Sequence, residues 1–193
     1  MSDGGENSEL AFVTSNRHKF EEAERMFRDE GISIRWVKQS YEEIQADTTE
    51  EISMQSAIQV SRELKTRFFL DDTGLYINSL SGFPGPYSSY VFRTIGNNGI
   101  LKLLDGRDRD ASFTTVVTYY DGVGFQQFSG TVKGTICFTE TGKSGFGYDP
   151  IFVPKGMEIS LSQMDPDQKN EVSHRGIAIR KLIAHIKKSS MKA

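Results

Sequence analysis

The stretch Phe68-Phe69-Leu70-Asp71-Asp72-Thr73-Gly74-Leu75 joins an apolar run to two adjacent carboxylates and a Thr-Gly pair. The apolar run predicts a buried strand, which we expect to end at the acids, with a turn at Thr73-Gly74. Carboxylates at the border of a hydrophobic core need a metal ion, hydrogen bonds or a raised pKa to offset their lost hydration. The stretch therefore predicts a divalent-metal and general-base site, around which the rest of the chain is arranged.

The composition indicates one globular domain. The chain has 193 residues, of which 37% are hydrophobic and 25% are charged, and its formal net charge is -3. A chain of this length can bury a single core, and a mildly acidic one is a poor candidate for non-specific binding to nucleic acid or membrane. No apolar run approaches the roughly 18 residues of a membrane span. We predict a single domain of two lobes over residues 9–188, between a disordered leader (1–8) and a tail (189–193).

Cysteine and histidine usage excludes two classes of site. The single cysteine, Cys137, rules out an intramolecular disulfide, and its apolar neighbours favour a small buried hydrophobe over a nucleophile. The three histidines and the cysteine lack the spacing of a zinc site. The first residues do not resemble a signal peptide. These features predict a reducing, cytoplasmic compartment.

The first polar loop follows a short apolar run at Leu10–Val13, which predicts a strand. After the loop, apolar residues at helical spacing predict an amphipathic helix. A loop in this position exposes backbone N–H groups at a helix N-terminus, which is a natural phosphate site, and Lys19 and Asn16 would add a charge and a donor. The alternative is that the polar residues before the helix only cap it.

The remaining segments predict further strands and helices. We predict that Thr48 or Thr49 caps a helix that runs to Leu64 with an acidic pair in its first turn, and that Asp165 caps a later helix. Asp121-Gly122 is a hairpin signal between two strands. Strand–helix units followed by an antiparallel meander indicate an α/β fold with a mixed sheet. The predicted later elements are strands at Ile32–Val37, Ser112–Tyr120, Phe125–Phe128, Gly130–Ile136 and Ile151–Val153, and helices at Ile95–Leu104, from Asp165, and over Ile177–Ile186.

Two late stretches carry candidate binding residues. In Gly145–Asp149, two aromatic residues separated by glycine and followed by an acid are suited to stacking on and hydrogen-bonding a base; the alternative is a core turn. His174 and Arg175 precede Gly176, where a chain break would aim both side chains inward. Gly142-Lys143-Ser144 is similar to the end of a phosphate-binding loop, but Cys137 stands where that pattern needs glycine.

With these stretches assembled, the chain resembles the inosine triphosphate pyrophosphatase family over about residues 9–187. The sequence of the segment Tyr87–Gly96 is most similar to that of archaeal members. The motifs, in family order, are Thr14-Ser15-Asn16-Arg17-His18-Lys19, Asp71–Leu75, Gly82-Phe83-Pro84-Gly85-Pro86-Tyr87-Ser88, Gly145–Phe152, and Lys169-Asn170 with Ser173-His174-Arg175-Gly176.

The resemblance implies hydrolysis of ITP, dITP and XTP to the monophosphate and pyrophosphate, which clears deaminated purines from the nucleotide pool. It also implies an elongated mixed β-sheet with flanking helices, two lobes around a substrate cleft, a Mg²⁺ cofactor and a homodimer.

The family's functional residues fall on matching positions of this sequence. By resemblance, Glu43 and Asp72 bind the metal, and Asp72, with Asp71 beside it, activates a water for attack at the α-phosphorus. The implied phosphate contacts are Thr14, Ser15, Asn16 and Lys19, and Arg17 and His18 of the same motif are further substrate contacts. Thr73 makes the substrate contact next to the acids, and the implied base contacts are Phe146, Gly147, Tyr148, Asp149, Lys169, His174 and Arg175.

The sequence lacks two positively charged residues that many relatives carry. Those relatives carry a lysine near Gln55 and Ser56 and some carry another at Ser89, and Arg93 is a candidate replacement. The alternatives to the implied activity are a pyrophosphatase for modified pyrimidine nucleotides and a nucleotide-binding sensor without catalysis.

Overall fold

The computed structural model describes residues 9–39 and 44–190, and within them it confirms the predicted α/β fold with a mixed sheet. The predicted leader and the last three residues lie outside the described part. The strands are β1 (Leu10–Val13), β2 (Ile34–Val37), β3 (Phe68–Ile77), β4 (Pro84–Gly85), β5 (Asp110–Tyr120), β6 (Phe125–Ile136) and β7 (Phe152–Pro154). The helices are α1 (Arg17–Asp29), α2 (Thr49–Glu63), α3 (Ser88–Thr94), α4 (Gly96–Leu103), α5 (Pro166–Val172) and α6 (His174–Ser190).

The sheet has the order β2-β1-β3-β5-β6-β7, with β4 paired to β3. Strand β1 runs parallel to β2 and β3, whereas the pairs β3–β5, β5–β6 and β6–β7 are antiparallel. The parallel part comes from the early strand–helix units and the antiparallel part from the later hairpin, as the sequence predicted. The predicted cap of α2 is also confirmed, because Thr48 Oγ1 accepts the Glu51 N–H.

The decisive stretch differs from its prediction. The expected turn at Thr73-Gly74 is wrong, because β3 continues through it to Ile77. All ten residues of β3 pair with β5, from Phe68 opposite Tyr120 to Ile77 opposite Ala111. Ladder hydrogen bonds from a long neighbouring strand outweigh the local turn preference of a Thr-Gly pair. The two acids therefore lie in the middle of a strand.

Three smaller expectations are also corrected. The strands predicted on either side of Ser129 form the single strand β6, because β5 pairs with its full length. The chain break before the last helix lies at Ser173, so His174 and Arg175 occupy the first turn of α6. Cys137 is only partly buried, since it follows the end of β6.

The hydrophobic core surrounds the middle of β3. One cluster centres on Phe69 and packs against α1 and α6, and a second begins at Leu75 and extends to α3 and α4. A third cluster holds Phe68 and Leu70 against α2. Because alternate residues of a strand face opposite sides of the sheet, α6 and α2 cover opposite faces. Asp71–Gly74 lies between the clusters, where the apolar packing is interrupted.

In the described part of the chain, no helix is both long and apolar enough to cross a bilayer.

Candidate active site

A cavity opens beside β3 where the sheet has a gap. On this side, β1 pairs with β3 as far as Phe69, and β4 begins to pair with it at Leu75. The cavity has a volume of about 380 Å³ and reaches both sides of the strand edge at Asp71–Thr73. Ser88 at the start of α3 lies at the β4 end of the gap, where its Oγ accepts the Leu75 N–H at 2.8 Å and donates to the Gly85 carbonyl at 2.7 Å.

The two acids project to opposite faces of the sheet, as neighbours in a strand must. Asp71 is buried and accepts charged hydrogen bonds from Lys19 Nζ at 3.0 Å and Arg175 Nε at 2.9 Å. Burial alone would raise the pKa of Asp71, but the two cations outweigh it and lower that pKa. Asp72 lies on the α2 side and is partly exposed to the cavity. Asp71 is thus committed to ion pairs, whereas Asp72 faces the space where a substrate would sit.

The first polar loop both caps α1 and lines the cavity. Asn16 Oδ1 accepts the backbone N–H groups of His18 and Lys19, which confirms the capping alternative. The loop nevertheless contributes Thr14, Ser15, Asn16 and Lys19 to the cavity wall. Capping and anion binding are compatible, because a ligand can take the remaining N–H groups of the helix terminus.

The other two loop residues lie differently. Arg17 is exposed and pairs with Glu21 at 2.7 Å, and it does not line the cavity. His18 stacks on Phe146, with ring centroids 5.5 Å apart and an interplanar angle of 13°. The structure therefore places His18 near the predicted base pocket rather than with the phosphate loop.

A buried chain of alternating charges continues from Asp71 toward the base pocket. Glu22 accepts from Arg175 Nη1 at 2.8 Å and from Lys169 Nζ at 2.5 Å, and Lys169 also binds Asp149 at 2.6 Å. Burial would raise the pKa of Glu22, but Arg175 and Lys169 lower it. Each buried charge is matched by an opposite one, which offsets the cost of removing it from water. In order, the chain is Lys19, Asp71, Arg175, Glu22, Lys169 and Asp149.

The base-pocket stretch is held by Asp149. Its carboxylate accepts the Phe146 N–H at 2.8 Å as well as the Lys169 ammonium. Burial raises the pKa of Asp149, and Lys169 opposes that shift. Gly145 has φ of 78°, and a Cβ there would lie 2.5 Å from the Asp149 carboxylate, so the turn requires glycine. Lys169 and Arg175 lie over the Phe146 ring, at 4.7 and 5.3 Å from its centroid.

The predicted His174 is fully buried and neutral. Its Nδ1 is 2.6 Å from Thr115 Oγ1, which in turn bonds Thr73 Oγ1 at 2.7 Å. Burial and the neighbouring cations Arg175 and Lys169 hold the pKa of His174 well below its ordinary value. His174 also stacks on Phe113 at 4.3 Å between ring centroids.

The cavity brings together most of the predicted site and adds residues that the sequence analysis missed. Sequence patterns did not single out Ser88 and Phe113, which line the cavity, or Glu22 and Thr115, which bond Arg175 and His174 of its wall. Glu22 follows Lys19 by three residues on α1, a spacing that places both side chains on one helix face and could have identified it. The strand residues had no such local signal.

A magnesium site fits the donor chemistry of the cavity. Among the described residues, no group of three or more His, Cys, Asp or Glu side chains is placed to hold a metal ion. The predicted ligand Glu43 lies outside those residues. Mg²⁺ commonly takes only one or two protein carboxylates and completes its shell with water and phosphate oxygens. Asp72 is a described carboxylate that suits this role, because it lines the cavity and is partly exposed.

Comparison with protein families matches residues 10–185 to the Ham1 family. A dITP/XTP pyrophosphatase from Thermococcus kodakarensis is 46% identical over 181 residues, which cover 93% of this chain and 98% of the relative. A protein of the same name from Pyrococcus horikoshii is 42% identical and covers 92% of this chain and 96% of the relative. These archaeal relatives confirm the resemblance found in the motifs.

Solved structures agree with the fold. A HAM1 protein from Coxiella burnetii superposes with a TM-score of 0.82 at 27% identity, covering 94% of this chain and 99% of that one. The Staphylococcus aureus Ham1 protein gives a TM-score of 0.77 at 28% identity, covering 94% of this chain and 100% of that one.

Proposed function

This chain belongs to the Ham1 family, and we propose that it hydrolyses ITP, dITP and XTP to the nucleoside monophosphate and pyrophosphate. The observation that carries the proposal is the single cavity that joins Asp72, the phosphate loop and the aromatic base pocket. Archaeal relatives named dITP/XTP pyrophosphatases match nearly the whole chain. The enzyme thereby removes deaminated purine nucleotides from the pool.

The catalytic proposal assigns different tasks to the adjacent acids. Asp72, with Glu43, would hold Mg²⁺, which when bound offsets phosphate charge and acidifies a water. Asp72 would orient a water toward the α-phosphorus and accept its proton as the water oxygen attacks. The bond between the α-phosphorus and the bridging oxygen breaks, and pyrophosphate leaves. Asp71 supports this step by fixing Lys19 and Arg175, the cations that it binds.

Charge on the departing pyrophosphate needs donors that are already in position. Lys19 lies in the cavity wall beside the N–H groups that begin α1, so ammonium and backbone donors converge there. Donors held in advance stabilise developing negative charge without reorganising during the reaction. The loop from Thr14 to Lys19 therefore forms the proposed site for the phosphate chain.

Recognition of the base follows from the donors of Arg175. Three of its N–H groups bind Asp71, Glu22 and Thr73, which fixes the guanidinium plane. A guanidinium has five N–H donors, so two remain for a ligand. The oxygen at C6 of hypoxanthine or xanthine accepts such a donor, whereas the amino group of adenine presents another donor and leaves both unpaired. Phe146 supplies a ring on which the base can stack.

The test is a product assay with Mg²⁺ and a panel of nucleotides. We expect ITP to give IMP and pyrophosphate, measured by ion-exchange chromatography, and EDTA to stop the reaction. IDP and orthophosphate as products would contradict attack at the α-phosphorus. Faster turnover of methylated dTTP or dUTP than of ITP would favour the modified-pyrimidine enzyme, and tight ITP binding without product would favour the sensor.

The proposal also includes a cytoplasmic location, which the cysteine usage predicts, and a homodimer, which the resemblance to the inosine triphosphate pyrophosphatase family implies. Light scattering of the purified protein tests this assembly, and a mass of one chain across the micromolar range would contradict it.

A further inference from the structure

The cations that line the cavity differ in whether they form ion pairs with carboxylates of the described residues. The cavity wall contains three cations, Lys19, Arg93 and Arg175. Lys19 is paired with Asp71, and Arg175 is paired with Asp71 and Glu22. Among the residues in ranges 9–39 and 44–190, no carboxylate forms an ion pair with Arg93. Arg93 is therefore the cavity cation whose charge is not already offset by a described carboxylate.

Arg93 projects from α3, a helix that starts at the gap in the sheet. Ser88 fixes the first turn of α3 to Leu75 of β3 and to Gly85. Ser89 and Arg93 both line the cavity and are four residues apart, so they share one face of the helix. Long side chains in a helix point back toward its N-terminus. The Arg93 side chain lines the same cavity as Asp72 and Lys19.

Charge balance in the cavity makes this placement significant. The lining residues include three carboxylates, Asp71, Asp72 and Asp149, against the three cations. The described part of the wall, which does not include Glu43, is thus formally neutral, and removing Arg93 would make it negative. A nucleoside triphosphate is strongly anionic, so a negative wall would repel it. An exposed guanidinium can also form a bidentate pair with phosphate at little desolvation cost.

We propose that Arg93 binds the phosphate chain of the substrate from α3 and holds the pyrophosphate as it leaves, opposite Lys19. This inference rests on the proposed function for the identity of the substrate. It assigns Arg93 a phosphate contact and no base contact. Many relatives carry lysines near Ser56 or at Ser89, where this chain has none. Arg93, one helical turn after Ser89, then provides a positive charge in their place.

The experiment compares Arg93→Gln with Arg93→Lys and with Lys102→Gln. Lys102 is an exposed cation on α4 that does not line this cavity, so its variant controls for a change in net charge. Loss of one charge-assisted contact predicts that Arg93→Gln lowers kcat/KM for ITP by about 10- to 100-fold. Arg93→Lys should retain part of the activity, because it keeps the charge but loses the planar fork. Lys102→Gln should match the wild type.

Two readouts separate a phosphate contact from a structural or base-binding role. Because the contact is with phosphate, Arg93→Gln should lower kcat/KM for ITP and ATP by the same factor and leave their ratio unchanged. Calorimetry with inosine 5′-(α,β-imido)triphosphate and Mg²⁺ measures affinity without turnover and should show the same loss. Circular dichroism and thermal unfolding should match the wild type.

Unchanged affinity of Arg93→Gln for the imido analogue would overturn the assignment, as would a changed ratio of ITP to ATP turnover. Absence of measurable analogue binding to the wild type would also count against it. The proposed function fails on a different result, namely absence of IMP and pyrophosphate from wild-type protein. The two failures are therefore distinguishable.

Discussion

The two ends of the cavity are built on opposite principles. At the base end, Glu22, Lys169, Asp149 and Arg175 form buried ion pairs with one another, and Arg175 is only 3% exposed. At the phosphate end, Asp72 is partly exposed, Arg93 is exposed and has no ion pair with a described carboxylate, and the loop donors face the cavity. The proposed base end is complete in the chain itself, whereas we propose that metal and substrate complete the phosphate end.

This difference matches what each end must do. To distinguish one purine base from another by its hydrogen-bonding groups, the protein needs donors that are held in fixed positions. The buried ion-pair network fixes Arg175 in this way. A phosphate chain and its metal bring several charges that enter and leave in each cycle, so permanently paired groups there would oppose binding. Lys19 connects the two ends, because it belongs to the phosphate loop and binds Asp71.

The strongest way to test the contrast is Asp72→Asn against Asp71→Asn. We expect Asp72→Asn to lower kcat for ITP by about 10²- to 10⁴-fold, because it removes the proposed general base. The free energy of unfolding measured with urea should change by less than about 1 kcal/mol. Asp71→Asn should instead destabilise the fold by about 3–5 kcal/mol, because it leaves two buried cations poorly compensated. Near-normal turnover in Asp72→Asn would remove that residue from its proposed role.

A second test breaks the ion-pair network at its centre. Lys169→Met leaves Glu22 and Asp149 buried without their shared cation, and we expect it to lower the free energy of unfolding by about 3–5 kcal/mol. Adding Asp149→Asn should recover part of the loss, since one unpaired carboxylate is then neutral. Chemical denaturation of both variants measures these effects. A change below about 1 kcal/mol in Lys169→Met would mean that the base end is not held by these pairs.

A third test shifts the base end without touching a charge. At Gly130 of β6, a Cβ would lie 2.1 Å from the His174 carbonyl oxygen and 2.7 Å from the Ala178 nitrogen, so Gly130→Ala must displace the first turn of α6. We expect about 1–3 kcal/mol of destabilisation and a reduced preference for ITP over ATP, because Arg175 moves with that turn. Gly124→Ala is the matched control, since nothing lies within 4 Å of its Cβ. Equal base preference in the two variants would argue against a fixed Arg175.

The smallest effect is a pH dependence of stability. The pKa values of Asp71 and Glu22 are lowered in the folded protein, so the unfolded chain binds more protons as pH falls below their ordinary values near 4. Their stabilisation is present above about pH 4 and is lost as pH falls through the lowered values, with a slope of at most about 1.4 kcal/mol per pH unit for each proton. Urea titrations between pH 6 and 3 measure it. An unchanged slope in Asp71→Asn would show that Asp71 does not contribute.

Much of the site could be predicted from local sequence. The loop before α1 and the turn that contains Phe146 each bear their chemistry in a few consecutive residues, and both line the cavity. The helix caps at Thr48 and Asp165 were predicted for the same reason, because the capping bond spans only a few positions.

The features that were not predicted depend on contacts between residues far apart in the sequence. The apolar pattern predicted a strand that ends at the acids, with a turn at Thr73-Gly74. Pairing with β5, some forty residues later in the sequence, instead extends the strand to Ile77. Thr115 was not selected because nothing near it marks a site; only the ladder that places Thr115 opposite Thr73 brings it to His174. Glu22 had a partial signal in its spacing from Lys19, but its partners Arg175 and Lys169 lie about 150 positions away.

The sequence by itself identified the acid pair, the loop proposed to bind phosphate, the turn proposed to bind the base, and their order along the chain. Only the tertiary structure decided how the two acids differ. The gap between β1 and β4 opens the strand edge at both, but Asp71 faces α1 and α6, whose cations bind it, while Asp72 faces the cavity on the α2 side. The physical reason is that a carboxylate's role depends on the charges and water around it, which distant segments supply.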